Sequence, residues 1–332
     1  MKSVLNHLSY LFLGLMLVAG TKLYAADVAD RKMQFRAATP TDAEQWQAKS
    51  RELLFKLLNL TDLEATRKAD GKDIPFDVKA LSSEDKGDYT RSEIEFDSTP
   101  TRRIKAILTV PKSSEQKQFP AIVCIHGHGG NRNIVYDPKS LYTGFAADLA
   151  ENGYVTISTD VGQHEVYEDG RTLMGERLWD VLRCADYLET LPQVDANRMG
   201  CAGLSLGGEM TMWLGAMDPR MKAVVSSGFL TTMEGIDNDS CCLCWKFPGL
   251  MENFQFCDIY SMIAPRALMC QNGELERAPG GFPIDVAKPE MAKIQAAYAV
   301  FDAKDKATLN IHPGGHKYVV APARAFIDKA IK

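Results

Sequence analysis

The sequence predicts an α/β fold whose mainly parallel central sheet carries helices on both faces. From Pro120 onward, strand-like apolar runs alternate with segments of helical periodicity, which is the pattern of a parallel sheet covered on both sides. A helix-like segment precedes this alternation, and an irregular segment interrupts it. We therefore expect an N-terminal helical extension over 26–87 and a main domain over 88–332, with a small cap-like insert at 228–262.

The first 25 residues have the composition of a secretory signal peptide. Lys2 precedes an apolar run from Leu8 to Ala19, and small residues follow. The run is shorter than the roughly 20 apolar residues that a membrane-spanning helix needs. The sequence predicts export, to the periplasm or out of the cell; the alternative is a retained N-terminal anchor. Cleavage is expected after Gly20, Ala25 or Ala26.

The extension is expected to contain one helix at 41–60. Apolar residues recur there at helical spacing, and Thr41 with Glu44 forms the pattern of a capping box. A charged stretch at 64–72 then predicts a linker. Residues 90–110 alternate between apolar and polar side chains on both sides of Pro100, which is typical of a β-hairpin.

Strands and helices are expected to alternate through the main domain. Each assignment rests on a short apolar run or on apolar residues at helical spacing. The predicted strands are 121–125, 154–159, 199–202, 223–227, 265–270 and 307–311. The predicted helices are 141–151, 177–191, 207–217, 289–301 and 321–331.

The insert is rich in aromatic side chains and cysteines. Most of its aromatics are expected to form a small core, while Trp245 is predicted to face the substrate. Four cysteines there could supply a disulfide. A metal site is disfavoured and no metal is expected, because the spacing lacks the paired C-x-x-C pattern of zinc sites. These four residues are Cys241, Cys242, Cys244 and Cys257.

Three further cysteines lie inside apolar strand-like runs, where a buried free thiol is expected. They are Cys124, Cys201 and Cys270.

A G-x-S-x-G motif, at residues 203–207, lies between a predicted strand and a predicted helix. In such a nucleophile elbow the chain turns so sharply that the serine backbone is strained and its Oγ is exposed above the sheet. The flanking glycines keep side chains out of the turn. Ser205 is therefore the predicted nucleophile.

A histidine base is expected on the loop after the last strand. Only His312 and His316 follow Ser205 in the sequence. His316 is favoured, because two glycines precede it and it lies further from the strand end, where it is freer to approach the serine.

The acid that orients the histidine is expected after the penultimate strand, at 265–270. The loop there contains Glu274 and Glu276, and Asp285 lies further on. Glu276 is the favoured acid, and Glu274 and Asp285 stay open as alternatives.

Two backbone N–H groups are needed to stabilise an oxyanion. Leu206 begins the helix after the serine and is expected to supply one of them. The glycine-rich segment 126–130 is expected to supply the other, with His128 as the favoured donor. This segment lacks the GK[ST] ending and the G-x-G-x-x-G spacing of nucleotide sites, so no nucleotide is expected there.

From about residue 88 to 325, the chain resembles the α/β-hydrolase superfamily, in particular dienelactone-hydrolase-like and acetyl xylan esterase-like bacterial proteins. The resemblance implies an α/β-hydrolase fold, a triad of Ser205, His316 and an acid, and no cofactor. Members usually carry Asp in an N-G-E-x-D acid loop, at the place that Glu276 occupies here. The matching motifs are His126-Gly-His-Gly-Gly130, Val194-Asp195-Ala-Asn-Arg198, Gly203-Leu-Ser-Leu-Gly207, Pro265-Arg266 and His312-Pro-Gly-Gly-His316.

These motifs predict a serine carboxylic ester hydrolase that acts through an acyl-enzyme. The resemblance implies an acetylated carbohydrate or a similar small ester as substrate. The alternatives are a serine peptidase or glucuronoyl esterase of the same fold, or a catalytically weakened binding homologue. Leu206 disfavours the glucuronoyl esterase, since an Arg typically follows the serine in that family.

The charge balance bears on the partners of the protein. A net charge of −5 gives no reason to expect nucleic acid or an anionic membrane as a partner. Beyond the ester substrate no partner is predicted, and the sequence does not predict the oligomeric state.

Overall fold

The computed structural model of the protein describes residues 30–68, 74–113, 118–238, 240–279 and 281–332. The predicted signal peptide therefore lies outside the described residues. Within these ranges no helix combines the length and the apolar character needed to cross a membrane.

The predicted α/β fold with a mainly parallel sheet is confirmed. The described strands are β1 (Lys79–Asp85), β2 (Tyr89–Asp97), β3 (Arg103–Pro111), β4 (Phe119–Ile125), β5 (Val155–Thr159), β6 (Val194–Leu204), β7 (Met221–Ser227), β8 (Ala267–Gly273) and β9 (Ala307–His312). They form one sheet in the order β1-β2-β3-β5-β4-β6-β7-β8-β9. The first three strands are antiparallel to their neighbours, and β5-β4-β6-β7-β8-β9 pair in parallel.

Helices cover both faces of this sheet, as predicted. The described helices are α1 (Pro40–Leu57), α2 (Thr61–Lys68), α3 (Phe145–Glu151), α4 (Leu173–Thr190), α5 (Leu206–Met217), α6 (Met233–Ile236), α7 (Leu250–Asn253), α8 (Phe256–Ser261), α9 (Ile284–Ala299) and α10 (Val320–Ile331). Helices α3 and α10 pack on the face that carries Ile122 and Val225, and α4, α5 and α9 pack on the face that carries Val123 and Val224. Short 3-10 helices lie at Ile134–Tyr136 and Lys304–Lys306.

The extension differs from its prediction in three respects. Helix α1 is capped by Thr39, whose side chain accepts the Asp42 N–H at 3.2 Å, so the cap is not Thr41. Helix α2 occupies part of the expected linker. Strand β1 lies within the segment expected to be helical; it is exposed along its whole length, and its backbone pairs with β2 at the sheet edge. A strand with no buried side shows no apolar alternation, which is why the sequence pattern missed it.

The predicted hairpin at 90–110 is confirmed as β2 and β3. Two helices of the main domain begin earlier than predicted, α4 at Leu173 and α9 at Ile284. Thr172 caps α4 by accepting the Gly175 N–H at 2.9 Å. The cap lies before the apolar run, so the periodicity alone placed the start too late.

Candidate active site

The sharp turn expected around Ser205 is present between β6 and α5. Ser205 has φ 65° and ψ −126°, a backbone conformation that residues other than glycine rarely adopt. Its backbone N–H donates to the Ser227 carbonyl at 2.9 Å. A Cβ on Gly203 would lie 2.4 Å from the Gly207 carbonyl oxygen, and one on Gly207 would lie 2.1 Å from that of Ile125. Both positions therefore require glycine.

The glycine-rich segment after β4 is fixed by its first histidine. His126 is fully buried, and its Nε2 accepts the Val161 N–H at 3.0 Å. Because Nε2 is an acceptor, the ring proton lies on Nδ1, which donates to the Gly127 carbonyl at 2.8 Å. His126 thus joins the loop after β4 to the end of β5 and has a structural role.

The same segment passes directly beside the serine. A Cβ on Gly127 would lie 2.9 Å from Ser205 Cβ, and the Gly127 N–H donates to the hydroxyl of Tyr142. His128 is the next residue. Among the described residues, the backbone N–H groups of His128 and Leu206 have no hydrogen-bond acceptor, so both are free to bind an oxyanion.

His316 and Glu276 are brought together on neighbouring loops. Nδ1 of His316 lies 3.0 Å from Oε2 of Glu276. The carboxylate side chain is only 2% exposed, and it also accepts the N–H groups of Gly273 at 3.2 Å and Phe282 at 3.0 Å. Three donors therefore hold this buried carboxylate in one orientation.

The imidazole of His316 lies against the end of β7. Its ring stacks on Phe282 with centroids 5.6 Å apart, and a Cβ on Gly228 would lie 2.7 Å from its Cε1 atom. Gly228 follows Ser227, the residue that binds the Ser205 backbone, so the ring lies beside the elbow. The described residues show no hydrogen bond between Ser205 Oγ and His316; without substrate such bonds are often long.

The other candidates for acid and base are placed differently. Glu274 and Asp285 are exposed, and among the described residues neither forms a hydrogen bond or an ion pair with His316. His312 is buried at the end of β9, and its Nδ1 has no hydrogen-bond partner among the described residues. Of the predicted candidates, the structure joins Glu276 with His316.

The prediction for Trp245 is wrong. This side chain is 2% exposed and belongs to the main hydrophobic core, where its ring meets that of Phe256 at 5.4 Å in an edge-on arrangement. The large apolar surface of the indole gains more free energy from burial than from facing an open site. Phe247, Phe254 and Phe256 are buried as expected, but they belong to the main hydrophobic core and do not form a separate small core.

All eight cysteines are free thiols in the structure. Cys124, Cys201 and Cys270 are buried, as predicted, and the insert shows no disulfide.

Two buried charged residues near the site were missed by the sequence patterns. Arg177 on α4 and Glu209 on α5 are 0% and 2% exposed. Burial raises the pKa of Glu209 to about 7, although Arg177 opposes the rise. The surrounding protein and the charge of Arg177 lower the pKa of His128 to about 4. Arg177 and Glu209 belong to no motif, so no sequence signal marked them as buried.

A cleft of about 1060 Å³ opens beside the glycine-rich segment. Gly129 and Gly130 form part of its wall, and charged or polar side chains such as Arg102, Asp160 and Gln163 form much of the rest. Ser205 and His316 do not line it. The cleft therefore adjoins the candidate active site and is lined mainly by charged and polar residues.

Comparison with known proteins adds a family match and several structural relatives. Residues 146–255, which include the elbow, match the prolyl oligopeptidase family. The protein named "Putative hydrolase YtaP" of Bacillus subtilis (strain 168) is 25% identical over 281 residues, which cover 77% of this chain and 90% of that protein.

Three solved structures illustrate the likeness. Methylesterase BT1017 has a TM-score of 0.68 at 20% identity and covers 88% of this chain and 64% of its own. A glucuronoyl esterase from Solibacter usitatus has a TM-score of 0.61 at 17% identity, and the match covers 77% of this chain and 85% of that chain. The acetyl xylan esterase from Paenibacillus sp. R4 has a TM-score of 0.59 at 15% identity, and the match covers 91% of this chain and 98% of that chain. At these identities the likeness concerns the fold.

Proposed function

Since the chain has the α/β-hydrolase fold, we propose that it is a serine carboxylic ester hydrolase with Ser205, His316 and Glu276 as its catalytic triad. The observation that carries the proposal is the pairing of His316 with the buried Glu276 beside a strained Ser205. A strained serine at such a turn and a histidine oriented by a buried carboxylate are the two requirements of this chemistry.

The proposed mechanism gives each group a role. The Nδ1–H of His316 donates to Glu276, which leaves Nε2 free to take the proton of Ser205 as Oγ attacks the ester carbonyl. The N–H groups of Leu206 and His128 stabilise the oxyanion, each by about 3 kcal/mol in the transition state. His316 returns the proton to the leaving alcohol, and water, activated by the same histidine, then releases the acid from the serine.

We propose an esterified carbohydrate, such as an acetylated one, as the substrate. The polar cleft beside the glycine-rich segment supports a hydrophilic leaving group. The structural relatives include a methylesterase, a glucuronoyl esterase and an acetyl xylan esterase by name. Leu206 follows the serine here, which favours a simple acyl ester over a glucuronoyl ester.

Peptide hydrolysis is the second candidate. It is supported by the match of residues 146–255 to the prolyl oligopeptidase family. The same triad and oxyanion donors would serve an amide, so the distinction depends on the substrate pocket.

We also propose that the protein is exported through its N-terminal signal peptide. The proposal rests on the order of basic, apolar and small residues in the first 25 positions. N-terminal sequencing of the protein from the periplasm or the medium tests it, and an intact N-terminus on a cytoplasmic protein contradicts it.

A fluorophosphonate probe followed by a substrate panel tests the function. We expect covalent labelling at Ser205 and hydrolysis of acetyl esters, with much slower turnover of methyl-glucuronate esters and peptide anilides. The Ser205→Ala variant should lose both while keeping its circular dichroism spectrum. A folded wild-type protein that takes no label would disprove the hydrolase proposal, and faster turnover of the anilides would favour the peptidase.

A further inference from the structure

Two histidines and two cysteines from three separate loops meet beside the candidate active site. We call His128, His164, Cys242 and Cys244 the His–Cys cluster. The potential ligand atoms of the four side chains all lie within 4.8 Å of one another. His128 Nε2 is 3.1 Å from Cys244 Sγ, and His164 Nδ1 is 3.7 Å from Cys242 Sγ. We propose that this cluster binds a zinc ion.

The geometry of the cluster fits a tetrahedral ion. With Zn–S bonds of about 2.3 Å and Zn–N bonds of about 2.0–2.1 Å, neighbouring ligand atoms are about 3.3–3.8 Å apart. The two measured contacts, 3.1 and 3.7 Å, lie close to this range. All four ligand atoms lie within 4.8 Å of one another, so side-chain rotations that shorten the longest distances by about 1 Å would place them around one ion.

The donor set selects the metal. Two thiolates and two imidazoles are the ligands of structural zinc sites, whereas calcium and magnesium require oxygen ligands. On binding, the two thiols release their protons and the sulfur atoms become the ligands, while each imidazole binds through a neutral nitrogen. No redox step is involved, because zinc keeps its charge.

Arg177 provides an independent observation, because it holds one sulfur of the cluster in place. Its guanidinium is completely buried, and its Nη1 group donates to Cys244 Sγ at 3.2 Å. Its other terminal nitrogen donates to the Gln163 carbonyl, next to His164. A buried donor to a ligand sulfur fixes the position of that sulfur, as outer hydrogen bonds do at metal sites.

The sheet topology explains why no sequence motif indicates the His–Cys cluster. His128 follows β4 and His164 follows β5, and these two strands are parallel neighbours, so their ends bring the two loops together. Cys242 and Cys244 approach from the insert between β7 and β8. The earlier expectation of no metal considered the insert cysteines alone, whereas half of the ligands come from other loops.

The zinc site rests on the proposed function in one respect, the oxyanion role proposed for the His128 backbone. His128 supplies a cluster ligand through its side chain and a proposed oxyanion donor through its backbone. Zinc would therefore join the insert to the glycine-rich segment and hold the His128 N–H in place. The ion acts as a positioning element, since the triad needs no metal to activate its nucleophile.

The experiment measures metal content on the reduced, signal-cleaved protein, before any substrate is added. We expect equimolar zinc by mass spectrometry after gel filtration. Replacing zinc with Co²⁺ should give the thiolate-to-cobalt charge-transfer absorption of a tetrahedral site. His164→Gln and Cys242→Ser change exposed side chains and should each lower zinc affinity at least about tenfold. Cys241→Ser is the matched control, because Cys241 lies outside the cluster; it should retain the metal.

The results separate this inference from the proposed function. Zinc binding in a protein without esterase activity would support the site and count against the esterase. Esterase activity in a folded protein that takes up no zinc or cobalt would overturn the site alone. Equal metal loss in Cys241→Ser, or a disulfide at Cys242 or Cys244 in the exported protein, would also overturn it. Removal of zinc by a chelator should lower the melting temperature and reduce kcat more than it changes KM.

Discussion

Glu276 Oε2 lies 3.0 Å from Nδ1 of His316, although the two residues are 40 positions apart in the sequence. A glutamate is one methylene longer than the aspartate that the resemblance leads one to expect. The extra length is accommodated because the carboxylate is buried and held by two backbone N–H groups as well as by the imidazole. The longer side chain therefore still orients the histidine.

We predict that Glu276→Gln lowers kcat by about ten-thousand-fold, because an amide can donate to Nδ1 and stabilise the wrong imidazole tautomer. Glu274→Gln is the matched control, since Glu274 is an exposed residue of the same loop. It should change kcat by less than about threefold. Steady-state kinetics on an acetyl ester measure both effects. A larger loss in Glu274→Gln than in Glu276→Gln would contradict the assignment of the acid.

We predict that Gly228→Ala disables the enzyme by displacing His316. The added Cβ would lie 2.7 Å from the imidazole, and such a displacement of a catalytic group costs roughly a hundredfold in rate. Gly153→Ala provides the control for backbone strain, because Gly153 also has a positive φ, +86°, but no atom within 4 Å of the added Cβ. Both variants should lose stability, while only Gly228→Ala should lose activity at a temperature where both are folded.

We predict that Glu209→Gln makes the protein more stable at alkaline pH. Burial raises the pKa of Glu209 from 4.5 to about 7, so the folded state holds a proton that the unfolded state has released. Wild-type stability should therefore fall by roughly 3 kcal/mol as pH rises from below 4.5 to above 7. The glutamine variant should lack this decline.

Urea unfolding at pH 4.5 and pH 8 measures the effect of Glu209. The advantage of Glu209→Gln should be present at pH 8 and small at pH 4.5. Glu252→Gln changes an exposed carboxylate and should leave the pH dependence unaltered. An equal advantage of Glu209→Gln at both pH values would disprove the titration argument.

We predict that Asp218→Asn destabilises the protein by about 3 kcal/mol at neutral pH, because it breaks a buried ion pair. The pKa of Asp218 is lowered to about 2 despite its burial, chiefly by hydrogen bonding to Arg220 and by the charge of Arg67. The stability that the carboxylate adds is present above pH 4 and is lost as pH falls toward 2. The difference from wild type should shrink over this interval in urea titrations.

Asp62→Asn is the control for Asp218. Asp62 pairs with Arg171 at 2.6 Å, but its side chain is 67% exposed. An exposed pair contributes at most about 1 kcal/mol. An effect of Asp62→Asn as large as that of Asp218→Asn would show that burial does not govern these pairs.

Much of the fold followed from sequence periodicity. The alternation after Pro120 identified the parallel strands, because strands buried on both faces must be apolar. The same patterns failed where the burial of a side chain or the pairing of a strand leaves no periodic apolar signal in the sequence. Strand β1 is exposed and therefore shows no apolar alternation. Trp245 is buried in the core, and its position in an irregular segment gives no periodic signal of that burial.

The sequence by itself determined the sharp turn at Ser205, because Gly203, Ser205 and Gly207 have a fixed local spacing and only glycine fits at the two flanking positions. It also placed His316 on the loop after β9, and Glu274 and Glu276 on the loop after β8. Only the tertiary structure decided that Glu276 pairs with His316, and that His128 meets His164, Cys242 and Cys244. Such contacts depend on which strand ends are neighbours in the sheet, and the spacing of residues in the sequence does not encode that order of strands.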